Sequence, residues 1–209
     1  MAGPAVSDRK RPYFSDMGTN RLEAFSDGVL AIIITIMVLE LKVPHGTDWK
    51  DLAPLAPVFL SYILSFIYVG IYWNNHHHFM HVVDRVDGRI LWANLHLLFW
   101  LSLIPFTTAW MGENHVGALP TAAYGFVLFM AAMAYLVLSL SVIRIQGKDS
   151  AIAKALGKDV KGKISALMYV AAINLAFWVP ALSWVLYALV ALMWVIPDRR
   201  YERAFTEGH

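Results

Sequence analysis

The sequence has no cysteine and few charged residues. Without cysteine, the chain can form neither a disulfide framework nor a thiolate metal site. Only 15% of its 209 residues are charged and 58% are apolar, whereas soluble domains have about 25% and about 45–50%. The sequence also lacks a nucleophile elbow, a phosphate-binding glycine loop and a His-Glu-x-x-His pattern, which disfavours an enzyme. The composition therefore indicates an integral membrane protein.

Apolar segments predict an all-α integral membrane protein with six transmembrane helices. A helix crosses the hydrocarbon core with about 20 residues. The candidate spans are Leu22 to Val43, Pro57 to Phe79, Ile90 to Met111, Ala118 to Val142, Ile164 to Val179 and Ala181 to Ile196. The last two are short, and we expect a turn at Pro180 to separate them. This membrane domain, residues 21–197, is expected between flexible cytoplasmic tails at residues 1–20 and 198–209.

Basic residues are distributed unevenly between the two sides of this arrangement. With six spans, 15 of the 17 Lys and Arg residues lie on one side, and only Lys42 and Lys50 lie on the other. The positive-inside rule then places both termini in the cytoplasm of a multi-pass cell-membrane protein. The basic stretch from Ile143 to Lys163 is interpreted as a contact with anionic lipids rather than with nucleic acid.

Polar residues within the first three spans share one membrane depth. Ser26 and Asp27 lie near the cytoplasmic end of the first helix, as do Asn94 and His96 in the third. The second helix reaches the same side with Trp73-Asn74-Asn75-His76-His77-His78. A carboxylate inside a membrane is expensive unless it is paired. We therefore predict a hydrogen-bond network that joins these helices.

The histidines leave several interpretations open. They could be structural, could sense or transfer protons, or could bind a metal or haem. His77 and His81 are four residues apart and could share an ion, but the spacing reveals no third zinc ligand. His77 and His96 could be proposed as a haem pair. We expect no metal and no cofactor.

A helical wheel gives the first helix two different faces. With about 100° per residue, Phe25, Ile36 and Leu39 fall within about 40° of Ile32, and Thr35 falls about 60° away. Ser26 and Asp27 lie about 120° and 140° from Ile32 on opposite flanks. The apolar stripe could face lipid, a neighbouring subunit or a pore axis.

The first helix opens with Arg21-Leu22-Glu23-Ala24-Phe25-Ser26-Asp27-Gly28. This segment and two segments further along the chain resemble motifs of the transmembrane protein 175 family of potassium channels. The segment from Arg21 to Gly28 resembles the Arg-x-x-x-Phe-Ser-Asp signature that opens the family's first helix. The second-helix segment Tyr72-Trp73-Asn74-Asn75-His76-His77 and the third-helix segment Trp92-Ala93-Asn94-Leu95 are similar to short prokaryotic members. The resemblance extends over the whole chain.

The resemblance implies a potassium-selective leak channel formed by a homotetramer, with the first helices around the pore. By position after the signature, Ile32, Ile36 and Leu39 would form an apolar gate and pore lining, and Thr35 a hydroxyl layer that aids selectivity. The resemblance also places Arg21 and Phe25 in a structural network, whose expected members are Arg21, Phe25, Ser26, Asp27, Trp73, His77, Asn94 and His96. A proton-conducting channel, a secondary transporter and a membrane haem protein remain as alternatives.

Overall fold

The computed structural model describes residues 13–114, 117–157 and 159–195, and all regular secondary structure there is helical, as predicted. The helices are α1 (Tyr13–Leu39), α2 (Trp49–Leu52), α3 (Ala56–His81), α4 (Gly88–Ser102), α5 (Ile104–Glu113), α6 (Ala118–Gln146), α7 (Ala151–Leu156), α8 (Val160–Leu175) and α9 (Pro180–Val195). One 3-10 turn, Ala53–Leu55, connects α2 to α3.

Four helical segments of the described chain are long and apolar enough to cross a membrane. They are Gly18–Leu39, Trp49–His81, Gly88–Glu113 and Ala118–Gln146. α8 and α9 have 16 residues each, or about 24 Å of helix, which is less than the hydrocarbon thickness of about 30 Å. The described chain thus contains several helices that could each span a membrane, as expected, and the count of six remains a prediction.

Several helix boundaries differ from the sequence prediction. α1 begins at Tyr13, inside the expected tail, and ends at Leu39, before the predicted end at Val43. α8 begins at Val160 because the Asp159 carboxylate accepts a hydrogen bond from the Gly162 amide. Residues 1–12 and 196–209, which include the predicted C-terminal tail, lie outside the described residues.

The third predicted span consists of two helices that meet at Leu103. Pro105 lies in the first turn of α5 and has no amide hydrogen, so it cannot bond to the Leu101 carbonyl. The regular α-helix is therefore interrupted at Leu103. The prediction of one apolar span in this region is confirmed, because the two helices together cover Gly88–Glu113.

α1 packs against α3, α4 and α5, while α6 contacts α4, α5, α8 and α9. The interior contains buried tyrosines whose hydroxyls bond to backbone carbonyls. Tyr68 donates to the Tyr187 carbonyl at 2.7 Å, and Tyr187 donates to the Thr121 carbonyl at 3.0 Å. Gly125 permits this packing, because a Cβ there would overlap the Tyr187 hydroxyl. These bonds satisfy polar groups that would otherwise be costly inside the bundle.

Candidate functional site on the first helix

One face of α1 is buried against the rest of the chain. Its buried side chains recur every three or four residues, which is the period of a helix face. They are Leu22, Ser26, Leu30, Ile33 and Met37. This face fixes the rotation of α1 relative to α3, α4 and α5, with which the helix packs.

The opposite face of α1 is exposed in the single chain. Ile32 is 60% exposed, and Phe25, Ile36 and Leu39 are exposed as well. Thr35 is exposed, and its hydroxyl donates to the Ala31 carbonyl at 2.9 Å. The residues that the helical wheel places on one stripe are therefore together on a surface that this chain does not cover.

A buried hydrogen-bond chain joins α1 to α4 and α3. The Ser26 hydroxyl donates to the Leu22 carbonyl at 2.8 Å and accepts from the Asn94 side-chain amide at 2.9 Å. The Asn94 carbonyl oxygen then accepts from His76 Nε2 at 2.8 Å. Ser26, Asn94 and His76 are at most 2% exposed. In such surroundings each bond is electrostatically stronger than in water, and the loss of one partner leaves a costly unpaired group.

Sequence reasoning did not single out His76 among the three consecutive histidines. The signal was present in the helix period: His76 lies on the buried face of α3 with Ser65, Val69 and Met80. Asp27 is half-buried and interacts electrostatically with His76. Its Oδ1 atom has no hydrogen-bond partner among the described residues.

A second group of polar side chains lies at the end of α3. His77 Nδ1 is 2.7 Å from the Glu23 Oε1 atom, which connects α3 to α1. The Trp73 ring stacks on His77, with ring centroids 6.0 Å apart and planes inclined by 19°. His81 Nε2 is 3.2 Å from His77 Nε2. Glu23, which the sequence analysis did not include in the network, is thus one of its contacts.

The remaining predicted network residues occupy other positions. Arg21 is exposed, and Phe25 and Trp73 are about half exposed in the single chain. His96 Nε2 accepts a hydrogen bond from the Trp100 indole at 3.0 Å. His77 and His96 therefore have different partners, and the structure does not bring His96 into the chain formed by Ser26, Asn94 and His76.

The C-terminal end of α1 is connected to α5 by an ion pair. Lys42, just after the helix, forms a 2.6 Å ion pair with Glu113 at the end of α5. The hydrogen bond from Lys42 to Glu113 and the negative charge beside it raise the pKa of Lys42 above its ordinary value of 10.5. Both side chains are largely open to solvent, so screening makes this a weak connection.

Comparison with known proteins identifies the family. A protein named a potassium channel from Chryseobacterium sp. strain P1-3 is 55% identical to this chain over 192 residues, covering 92% of this chain and 100% of the relative. The family described as endosomal/lysosomal potassium channel TMEM175 matches residues 21–105. The chain belongs to the TMEM175 family. The resemblance found in the signature from Arg21 to Gly28 is thereby confirmed.

Two further TMEM175 proteins are similar to this chain. The crystal structure of a lysosomal potassium-selective channel TMEM175 homolog from Chamaesiphon minutus matches with a TM-score of 0.73 and 28% identity, over 86% of this chain and 97% of that one. A human protein named endosomal/lysosomal proton channel TMEM175 is 39% identical over 96 residues, which are 40% of this chain and 19% of the human protein. The family consists of ion channels, so the expectation that the chain is not an enzyme is confirmed.

Proposed function

We propose that this chain is the subunit of a potassium-selective leak channel, a homotetramer in the cell membrane with both termini in the cytoplasm. Four copies of α1 surround the pore, and potassium ions pass through it passively. Anionic lipids contact the basic segment 143–163 on the cytoplasmic side. The names of the Chryseobacterium and Chamaesiphon proteins support potassium as the permeant ion.

The observation that carries this proposal is the contrast between the two faces of α1. The polar Ser26 is buried and bonded to Asn94, whereas Ile32, Ile36 and Leu39 are exposed. A helix held by this buried face presents the opposite face, with its apolar stripe, to something outside the chain. In a symmetric tetramer, four such stripes enclose an axis.

The pore mechanism follows from the side chains of this stripe. Four Ile32 side chains form an apolar ring that excludes water when it is narrow and admits a partly hydrated ion when it widens. Ile36 and Leu39 continue the pore lining toward the C-terminal end of α1. The Thr35 hydroxyl donates its hydrogen bond to the Ala31 carbonyl. Its oxygen lone pairs therefore remain available to replace part of the hydration shell of a potassium ion.

Ile32→Asn tests the gate. The variant should raise potassium flux through reconstituted liposomes, since a polar ring no longer excludes water. Val38→Asn is a matched control, because Val38 is also an exposed apolar residue of α1 but points about 120° away from Ile32. Unchanged flux in the Ile32 variant, or an equal rise in the control, would contradict a ring at Ile32.

The flux assay also tests the whole proposal. Wild-type liposomes should conduct potassium better than sodium, and an absence of cation flux would reject the channel. Proton conduction is the second candidate, because the human relative is named a proton channel. A pH-sensitive dye inside the same liposomes distinguishes the two. Under an imposed pH gradient and without a potassium gradient, a proton channel would change the pH of the lumen.

A further inference from the structure

We propose that His77 and His81, supported by the Glu23 carboxylate, form a binding site for a divalent transition-metal ion such as Zn²⁺ where the end of α3 meets α1. Each of these residues offers a ligand atom, and the three atoms lie within 4.8 Å of one another. The site is separate from the exposed stripe of α1. Metal binding can be measured without ion flux, so its test is independent of the proposed channel function.

The two histidines are arranged for chelation. His77 and His81 are four residues apart on one face of α3, the spacing with which helical histidine pairs bind zinc. Their Nε2 atoms are 3.2 Å apart. Tetrahedral zinc with Zn–N bonds of about 2.0–2.1 Å separates two nitrogen ligands by about 3.4 Å. An ion can therefore bind between them with little movement of either ring.

Glu23 determines which nitrogen of His77 is available. Its carboxylate lies 2.7 Å from His77 Nδ1 and accepts a hydrogen bond from the N–H there, which leaves the lone pair of Nε2 directed toward His81. The same carboxylate–histidine arrangement supports many zinc sites, where it fixes the tautomer and raises the basicity of the ligand. The stacked Trp73 ring restricts the rotation of His77 further.

The site is open to an incoming ion. The His77 side chain is 40% exposed and Glu23 is 18% exposed, and His81 is exposed. Water molecules can therefore complete the coordination shell. The carboxylate charge also offsets part of the charge of the ion. Because Glu23 belongs to α1 and both histidines belong to α3, a bound ion fixes His77 in the orientation that bonds to Glu23 and so strengthens the connection between the two helices.

The test is a titration of the untagged full-length protein in detergent micelles with Zn²⁺ by calorimetry and with Co²⁺ by visible absorption. We expect one ion per chain, a d–d absorption band from bound Co²⁺, and a rise in Tm with Zn²⁺, because an ion that binds only the folded state stabilises it. Absence of saturable binding would overturn the proposal.

Variants show whether the metal binds at this site or at other histidines. His81→Ala should abolish binding, and circular dichroism checks that this variant is folded. Glu23→Gln should weaken binding about 10- to 100-fold, as the loss of such a supporting carboxylate does. His78→Ala is the control, since His78 is the next residue on α3 but points about 100° away from His77. Binding that survives in His81→Ala, or that is lost equally in His78→Ala, would reject the site.

Discussion

The two faces of α1 differ in what covers them. The buried face combines apolar packing at Leu30 and Ile33 with one hydrogen-bonded serine. The exposed face carries the same kinds of residue, isoleucine, leucine and a hydroxyl, but no part of the described chain packs over it. Residue type alone therefore does not distinguish a structural position from a candidate pore position on this helix. The two faces are distinguished by their contacts, because one packs against α3, α4 and α5 and the other is exposed.

The strongest test of this comparison places the same polar side chain on each face. Leu30 is 1% exposed and Ile32 is 60% exposed. Leu30→Asn should lower the free energy of unfolding by about 2–5 kcal/mol, because it removes packed atoms and buries an amide without a partner. Ile32→Asn should change it by no more than about 0.5 kcal/mol. Thermal and SDS-induced unfolding in micelles measure both, and equal losses would show that the two faces are not different.

Asn94→Leu should have the next largest effect. It removes the partner of both the Ser26 hydroxyl and His76 Nε2, so two buried groups lose a hydrogen bond. The expected loss of stability is about 1–3 kcal/mol. Asn174→Leu is the control, because the Asn174 amide is exposed and bonds within its own helix, to the Val170 carbonyl. A loss in the control as large as in Asn94→Leu would contradict the importance of the connection between α1 and α4.

Deleting one hydroxyl from each face of α1 tests the two faces separately. Ser26→Ala leaves the Asn94 amide without its acceptor and should cost about 1 kcal/mol in stability, with potassium selectivity unchanged. Thr35→Ala should show the opposite pattern, with stability retained and a lower potassium-to-sodium permeability ratio. Unfolding curves and reversal potentials in mixed salts measure the two effects. An unaltered reversal potential in Thr35→Ala would remove its proposed role in selectivity.

The smallest effect on stability is expected at the C-terminal end of α1. Lys42→Ala should leave the unfolding temperature nearly unchanged at neutral pH, since its ion pair with Glu113 is exposed to solvent. Because the pKa of Lys42 is raised on folding, its contribution is fully present below pH 10.5 and is lost only as the pH rises above this value. A difference between wild type and variant that changes with pH between about pH 6 and pH 9 would contradict this assignment.

The first helix shows how much the sequence could predict. The signature from Arg21 to Gly28 indicated the family, and the helix period alone assigned Ser26 and Ile32 to different faces. The helix ends were less predictable, because a local contact such as the cap at Asp159 moves a boundary by several residues. The signal for an apolar span is an average over about 20 residues and does not detect such shifts.

The class of protein, the apolar spans and the two faces of α1 follow from the residues alone, because they depend on composition and on the rotation of about 100° per helical residue. The fold was needed to show that His76 bonds to Asn94 and that His77 contacts Glu23. His76 and His77 are adjacent and chemically identical. The packing of α1 against both α3 and α4 points one ring into the buried chain of hydrogen bonds and the other toward Glu23 and His81.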